Sequence, residues 1–361
     1  MSGINRRKAI IAMSGGVDSS VAAYLTYQKG DECLGATMQL FGNEDIGEEK
    51  EKSCCSLSDV EDARRVAYRI GFPFYVFNFK EDFRREVMDR FAQAYWEGKT
   101  PNPCIDCNRH MKFDRLLGRM REIGYDYIVT GHYARVAFDE ASGRFLLKKG
   151  LDPGKDQSYV LYNLTQEQLS CVEFPLGAYT KAEVRRIAQE QGFVNARKHD
   201  SQDICFVPDG DYASFIESYT GRKAAEGDFV DKDGFILGRH RGIIHYTIGQ
   251  RRGLAIPASR RLYVCRLDMA ANRVVLGDNA DLFSRELVAT DVNLIACDRL
   301  DEPRHLKAKI RYRHPEMPCT AWQDAEGKLH VRFDQDVRAI TRGQAVVLYD
   351  EDVVVGGGII D

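Results

Sequence analysis

The sequence predicts an α/β protein with an N-terminal doubly wound parallel sheet, a small central domain and a C-terminal all-β barrel. Three observations carry that reading. Apolar strand-like runs alternate with helix-like patterns over about the first 135 residues. A glycine turn, Ser14-Gly15-Gly16, joins the first run to the first helical pattern. From about residue 227 onward, helices give way to short alternating strands separated by Gly, Asp and Asn turns.

Taken in order, the N-terminal strands are expected at 8–13, 33–40, 74–79 and 126–130, with helices at 17–29, 58–71, 82–97 and 109–123. That alternation implies parallel strands with helices on both faces, and ligands bind such sheets beyond the carboxyl ends of the strands. Ser14-Gly15-Gly16, Met38 and Gly131-His132 all fall just past strand ends, so they are expected to share one crevice. Val136–Phe138 and Phe145–Lys149, separated by Ala141-Ser142-Gly143, read as a hairpin. Helical segments follow at 165–170, 180–192 and 211–220. The clearest later strands are Leu262–Leu267, Arg273–Leu276, Lys307–Tyr312, Val331–Asp334 and Ala345–Tyr349. The expected divisions are a catalytic domain at 1–208, a central domain at 209–281 and a β-barrel at 282–361.

A chain of 361 residues with 44% hydrophobic and 29% charged residues can bury a sizeable core. No run of 18 apolar residues occurs, and Met1–Lys8 leads straight into a core strand, so a cytoplasmic protein is expected. Its ten cysteines then read as thiols for metal binding or catalysis rather than as disulfides. The net charge of −3 hides an uneven distribution. Seven arginines (239, 241, 251, 252, 260, 261 and 266) lie between Arg239 and Arg266 without one Asp or Glu, the footprint of a polyanion partner. Glu44–Glu51 is acidic and reads as a solvated loop.

The most informative stretch is Lys8-Ala-Ile-Ile-Ala-Met-Ser-Gly-Gly-Val-Asp-Ser-Ser-Val21. A buried strand, a glycine turn and a helix N-terminus make an anion site, because unpaired backbone N–H groups and the helix dipole converge there. Ser14, Ser19 and Ser20 add hydroxyl donors. Neither GxxxxGK[ST] nor GxGxxG is present. A capped strand-to-helix turn is the plainer reading. The full string Ser-Gly-Gly-Val-Asp-Ser-Ser, however, resembles the PP-loop of the ATP pyrophosphatases. That resemblance implies cleavage of ATP between the α and β phosphates, with AMP left on an activated substrate. It places ATP on Ala12, Met13, Ser14, Gly15, Gly16, Val17, Asp18 and Ser19, with the adenine near Met38 and Gly131. Mg²⁺ is the expected companion of ATP, and Asp18 is the nearest carboxylate for it, with helix capping as its alternative role.

Thr100-Pro-Asn-Pro-Cys104-Ile-Asp-Cys107-Asn108 reads as a loop by its prolines, ahead of a helix beginning at Arg109 whose dipole could lower a thiol pKa. Cys104 and Cys107 could be half of a zinc site, but no second CxxC or His-x3-His partner exists. Cys205 sits between Ile204 and Phe206, and by local context reads as a small buried hydrophobe. Cys54-Cys55 are adjacent, a poor geometry for one metal, and read as structural.

Further motifs occur in order: Pro-Asn-Pro-x-x-x-Cys-Asn at 101–108, Gly-His-Tyr-Ala at 131–134, Lys-Asp-Gln-Ser-Tyr at 155–159 and Asp-Ser-x-x-Ile-Cys-Phe at 200–206. They continue with His245-Tyr-Thr-Ile-Gly-Gln-Arg-Arg-Gly253, Arg311-Tyr-Arg313 and a Gly-Gly-Gly-Ile-Ile ending. Together they resemble the tRNA-specific 2-thiouridylase family over essentially the whole chain. The resemblance implies Cys107 as nucleophile and Cys205 as persulfide carrier. It sets Asn102, Pro103 and Cys104 against the target base, and Lys155, Asp156, Gln157, His132, Arg311, Tyr312 and Gln344 on the tRNA anticodon stem-loop. A core histidine is the alternative for His132. A sulfur-donor protein, a cysteine desulfurase or sulfur relay, is the implied second partner. At the position of Cys104 well-known members carry aspartate. Cys104, Cys107 and Cys205 could therefore hold a [4Fe–4S] cluster, and the persulfide and cluster routes both stay open.

Strand alternation in Lys307–Arg313 is expected to put Lys307, Lys309, Arg311 and Arg313 on one face, for phosphate contact rather than mere solvation. Two other classes compete with an ATP-dependent tRNA sulfurtransferase. A PP-loop synthetase would adenylate a small substrate for a nitrogen nucleophile, and would need neither the cysteine loops nor the basic β-region. A non-catalytic RNA-binding module would not keep the phosphate loop intact.

Overall fold

The computed structural model describes residues 6–42, 57–198, 204–207 and 210–361. The acidic Glu44–Glu51 run, Cys54-Cys55 and Asp200-Ser201 lie outside the described residues.

The N-terminal region alternates as expected: β1 (Lys8–Ala12), α1 (Val17–Gln28), β2 (Glu32–Gln39), α2 (Leu57–Ile70) and β3 (Phe74–Asn78). Helix α3 runs from Lys80–Phe83 through a π-helical stretch, Arg84–Asp89, into Arg90–Trp96. Helix α4 likewise joins Pro103–Asp106, a π-helical Cys107–Arg115 and Leu116–Glu122. Strand β4 (Tyr127–Val129) follows, then the hairpin β5 (Ala134–Asp139) and β6 (Arg144–Lys149), α5 (Gln166–Ser170), β7 (Val172–Glu173) and α6 (Lys181–Glu190).

The first sheet is parallel, in the order β3-β2-β1-β4-β7. Its order reverses between β1 and β4, the topological switch point at which open α/β sheets bind ligands. Both faces are covered, because side chains alternate along a strand. Ala9 and Ile11 of β1 join one buried cluster with Val21 and Val184 from α1 and α6. Ile10 joins the other, with Phe83, Phe91 and Met111 from α3 and α4.

Helix α7 (Tyr212–Thr220) leads into a four-stranded sheet of β8 (Gly227–Val230), β9 (Ile236–His240), β10 (Tyr263–Asp268) and β11 (Arg273–Gly277), ordered β10-β11-β8-β9. The remaining strands are β12 (Phe283–Leu294), β13 (Arg304–Lys309), β14 (Met317–Gln323), β15 (Leu329–Arg338), β16 (Ala345–Asp350) and β17 (Val353–Ile360). Pairing of β12 with both β15 and β17 closes these six into a barrel, which leaves no free edge among them. The β5–β6 hairpin extends this sheet instead of the first one: Lys148 of β6 pairs with Val353 of β17. A division drawn along the sequence near residue 208 therefore crosses a tertiary connection.

Two expected elements have different limits. The predicted loop through Cys104 and Cys107 is helical, and α4 starts at Pro103 rather than at Arg109. Proline suits the first helical position, and the Asn102 side chain accepts a hydrogen bond from the Cys104 N–H at 3.1 Å. The predicted strand Lys307–Tyr312 ends at Lys309, and Arg311–Arg313 turn away from it. The continuous basic face is thus not formed. Arg311 donates to the Ala339 carbonyl and, at 2.8 Å, to Thr341 Oγ1, and so braces the turn after β15.

Candidate active site

The loop after β1 is built by hydrogen bonds that fix its backbone. Met13 N–H donates to the Ala36 carbonyl at 2.8 Å, and Thr37 Oγ1 donates to the Met13 carbonyl at 2.6 Å. Ser19 Oγ accepts from the Ser14 N–H at 3.2 Å and donates to the Gly16 carbonyl at 3.1 Å, where Ser20 Oγ also donates at 3.0 Å. Gly16 is the helix N-cap, so no N-cap side chain accepts from the first N–H groups of α1. The two glycines have separate reasons. Gly15 has φ +73°, and a Cβ there would lie 2.3 Å from the Asp59 carbonyl oxygen. Gly131, just past β4, would put a Cβ 2.8 Å from the Ser19 nitrogen. Gly131 therefore lies against the loop, and Met38 is the last residue but one of the neighbouring β2. Gly15→Ala is expected to lower the melting temperature, because both the positive φ and the collision disfavour it, at a cost above about 1 kcal/mol. It should also abolish ATP binding; thermal denaturation and nucleotide titration check the two effects.

Asp18 does not cap its helix. Its carboxylate accepts from Tyr133 Oη at 2.8 Å and from Lys181 Nζ at 2.8 Å on both oxygens. Asn195, buried, donates from Nδ2 to the Gly15 carbonyl and to Ser20 Oγ, both at 2.9 Å. Lys198 pairs with Asp59 and, at 3.0 Å, with Asp62. Tyr133, Lys181, Asn195 and Lys198 were absent from the expected site. Tyr133 stood in the Gly-His-Tyr-Ala motif, but the other three come from a helix and turn more than 150 residues from the loop.

The cysteines belong to the opposite side of the sheet. Cys104 is exposed on the first turn of α4, and Cys107 is half-buried one turn on, against the same core as Cys205. Phe206 anchors that last segment by edge contacts with Phe83 and Phe91 of α3, at ring separations of 5.6 and 5.3 Å. Between the two α4 cysteines, burial pushes the Asp106 carboxyl up to about 6. Asn102, Ile105, Asp106 and Arg109 line a cleft of about 650 Å³. Among the described residues, no three His, Cys, Asp or Glu side chains converge to hold a metal ion.

Several expected RNA-contacting residues have internal partners. His132 is buried between Phe113 and Phe174, with Nδ1 2.6 Å from Thr130 Oγ1, and burial holds its pKa well below the usual value. It is a core histidine here rather than a surface one. Asp156 accepts from Gly150 N–H, Ser158 N–H and Ser158 Oγ. Gln157 accepts from the Tyr133 N–H at 3.0 Å. Gln344 donates to the Thr100 carbonyl at 2.6 Å, which ties the barrel to the segment before α4. Of the seven clustered arginines, Arg260 pairs with Asp278 at 2.8 Å and lines, with Arg251 and Arg261, a hollow of about 430 Å³, while Arg252 is exposed.

A phosphate-type loop at the switch point of a parallel sheet, with two β modules after it, defines an α/β protein of the PP-loop class. Family comparison agrees in each part: residues 7–209 match a tRNA methyl transferase HUP domain, 213–278 a tRNA methyl transferase PRC-barrel domain and 284–360 an aminomethyltransferase β-barrel domain. The tRNA-specific 2-thiouridylase MnmA of Clostridioides difficile is 53% identical over 98% of this chain and 98% of its own. That of Acetivibrio thermocellus is 51% identical over 99% and 100%. The chain belongs to the tRNA-specific 2-thiouridylase family.

Proposed function

We propose that this protein is an ATP-dependent tRNA 2-thiouridylase that transfers AMP to the C2 oxygen of the wobble uridine, U34, and replaces that oxygen with sulfur. The carrying observation is that the PP-loop and both cysteine-bearing segments are mounted on one sheet, the loop at its switch point and Cys107 and Cys205 on one core.

ATP lies over Ala12–Ser19, with its phosphates on the free N–H groups at the start of α1 and its adenine toward Met38 and Gly131. Asp18 is the carboxylate that would hold Mg²⁺, and the ion would supply charge neutralisation at the phosphates. Lys181 already faces that carboxylate. The target base leaves its stack to enter the site, against the capped α4 N-terminus at Asn102, Pro103 and Cys104. AMP transfer to O2 releases pyrophosphate and turns a poor leaving group into a good one. The outer sulfur of a Cys205 persulfide attacks C2, and the C2–O bond breaks with AMP as leaving group. Cys107 thiolate then attacks the Cys205 sulfur, which frees 2-thiouridine and leaves a Cys107–Cys205 disulfide for an external thiol to reduce. A donor protein, a cysteine desulfurase or a sulfur relay, loads Cys205. Among the described residues no helix is long and apolar enough to cross a membrane, which fits a cytoplasmic enzyme.

The test is an assay of pyrophosphate release with and without tRNA, paired with detection of 2-thiouridine in the product. Release only with tRNA is expected. Equal release without tRNA, driven by a small amine-accepting substrate, would support the synthetase reading instead.

A further inference from the structure

Lys309 is the last residue of β13. Its ammonium stands over two aromatic rings, 6.0 Å from the Tyr159 centroid and 5.9 Å from that of Tyr312. The Tyr312 hydroxyl in turn feels the charge of Cys104, so the three groups share one small region. Lys309 is half-buried, and burial lowers its pKa. No hydrogen bond or ion pair reaches its Nζ from any described residue. The nearby carboxylates have other partners: Glu316 pairs with Lys149 at 2.5 Å, and Asp156 accepts the three hydrogen bonds given above. Burial and the charges of Arg311 and Lys309 lower the pKa of His314, which is therefore no counter-ion for Lys309.

A half-buried ammonium without an anion is costly, and two ring faces compensate it only in part. We propose that Lys309, rather than Arg311, receives a phosphodiester oxygen of the tRNA loop, next to the nucleotide whose base lies against Cys104. This rests on the thiouridylase reading. An ammonium offers three rotatable donors and no acceptor, which suits a phosphate oxygen rather than a base edge. Arg311 is the poorer candidate because its guanidinium is held by Ala339 and Thr341. The ATP phosphates are not the anion, because their loop lies at the switch point of the other sheet.

The experiment measures binding of an anticodon stem-loop RNA at several salt concentrations, by wild type, K309M and K309R. Each RNA carries one neutral methylphosphonate linkage at a successive position. K309M should lower the slope of log K against log salt by about 0.7, the value for one single-strand phosphate contact, and K309R should restore it. One methylphosphonate position should weaken wild-type binding and leave K309M binding unchanged, while ATP affinity stays constant in all three proteins. A wild-type slope and methylphosphonate profile in folded K309M would overturn the assignment. Should K309M fail to fold, a wild-type scan without a sensitive position would overturn it equally. Wild type that binds no tRNA would refute the thiouridylase reading beneath it.

Discussion

Asp18→Ala is expected to reduce tRNA-dependent pyrophosphate release by at least about 10²-fold, the scale seen when one electrostatic stabiliser of a transition state is removed. Binding of tRNA should be largely retained. The carboxylate is the one acidic side chain in the loop Ser14–Ser20, and both its oxygens are engaged by Lys181. Its removal takes away the proposed Mg²⁺ ligand and also leaves the largely buried Lys181 ammonium without its anion. Asp18→Asn separates the two effects. It keeps the size and an acceptor for Tyr133 Oη, but loses the charge that holds a divalent ion. Equally low turnover in Asn and Ala variants, with a wild-type melting temperature for Asn, would assign the defect to charge. Normal turnover in either would remove Asp18 from the mechanism.

A larger effect is expected from Cys107→Ser or Cys205→Ser, each of which should lower thiolation by on the order of 10³-fold or more, as loss of a nucleophile commonly does. Serine keeps the packing of a half-buried position but cannot carry a persulfide or act as a thiolate near neutral pH. Pyrophosphate release should survive in part, because adenylation needs the loop and a placed base but no thiol. Mass spectrometry should find a persulfide on Cys205 in the Cys107→Ser protein. Cys104→Ala provides the contrast. Cys104 is exposed on the first turn of α4, whereas Cys107 and Cys205 pack against one core. Its loss should therefore lower thiolation only through base placement. Iron and acid-labile sulfide in anaerobically purified protein, lost together with activity in Cys104→Ala, would overturn that expectation in favour of a cluster.

The parallel sheet, the loop after β1 and the closing β region were legible in the chain because they rest on local patterns. Hydrophobic alternation, a glycine pair and turn residues each act within a few positions of one another. The start of α4 was misplaced for a related reason: Pro101 and Pro103 read as loop-formers, whereas Asn102 as cap and Pro103 as first residue open a helix. The basic strand face failed differently. Alternation in the sequence continues through Arg313, but the strand stops at Lys309, and Arg311 is drawn to Ala339 and Thr341 in a turn about 30 residues away.

By itself, then, the sequence determined the architecture, the phosphate-type loop and the family, since these depend on short motifs and on periodicity. Only the tertiary structure decided which polar groups have partners. It joined Asp18 to Lys181 and Tyr133, committed Asp156, Gln157 and Gln344 to backbone groups, and buried His132. It also left Lys309 between two tyrosines without an anion among the described residues. Hydrogen-bond satisfaction is a property of what lies within about 3 Å in space. For Asp18 and Gln344 those partners lie more than 100 positions away, and no local pattern of the chain records them.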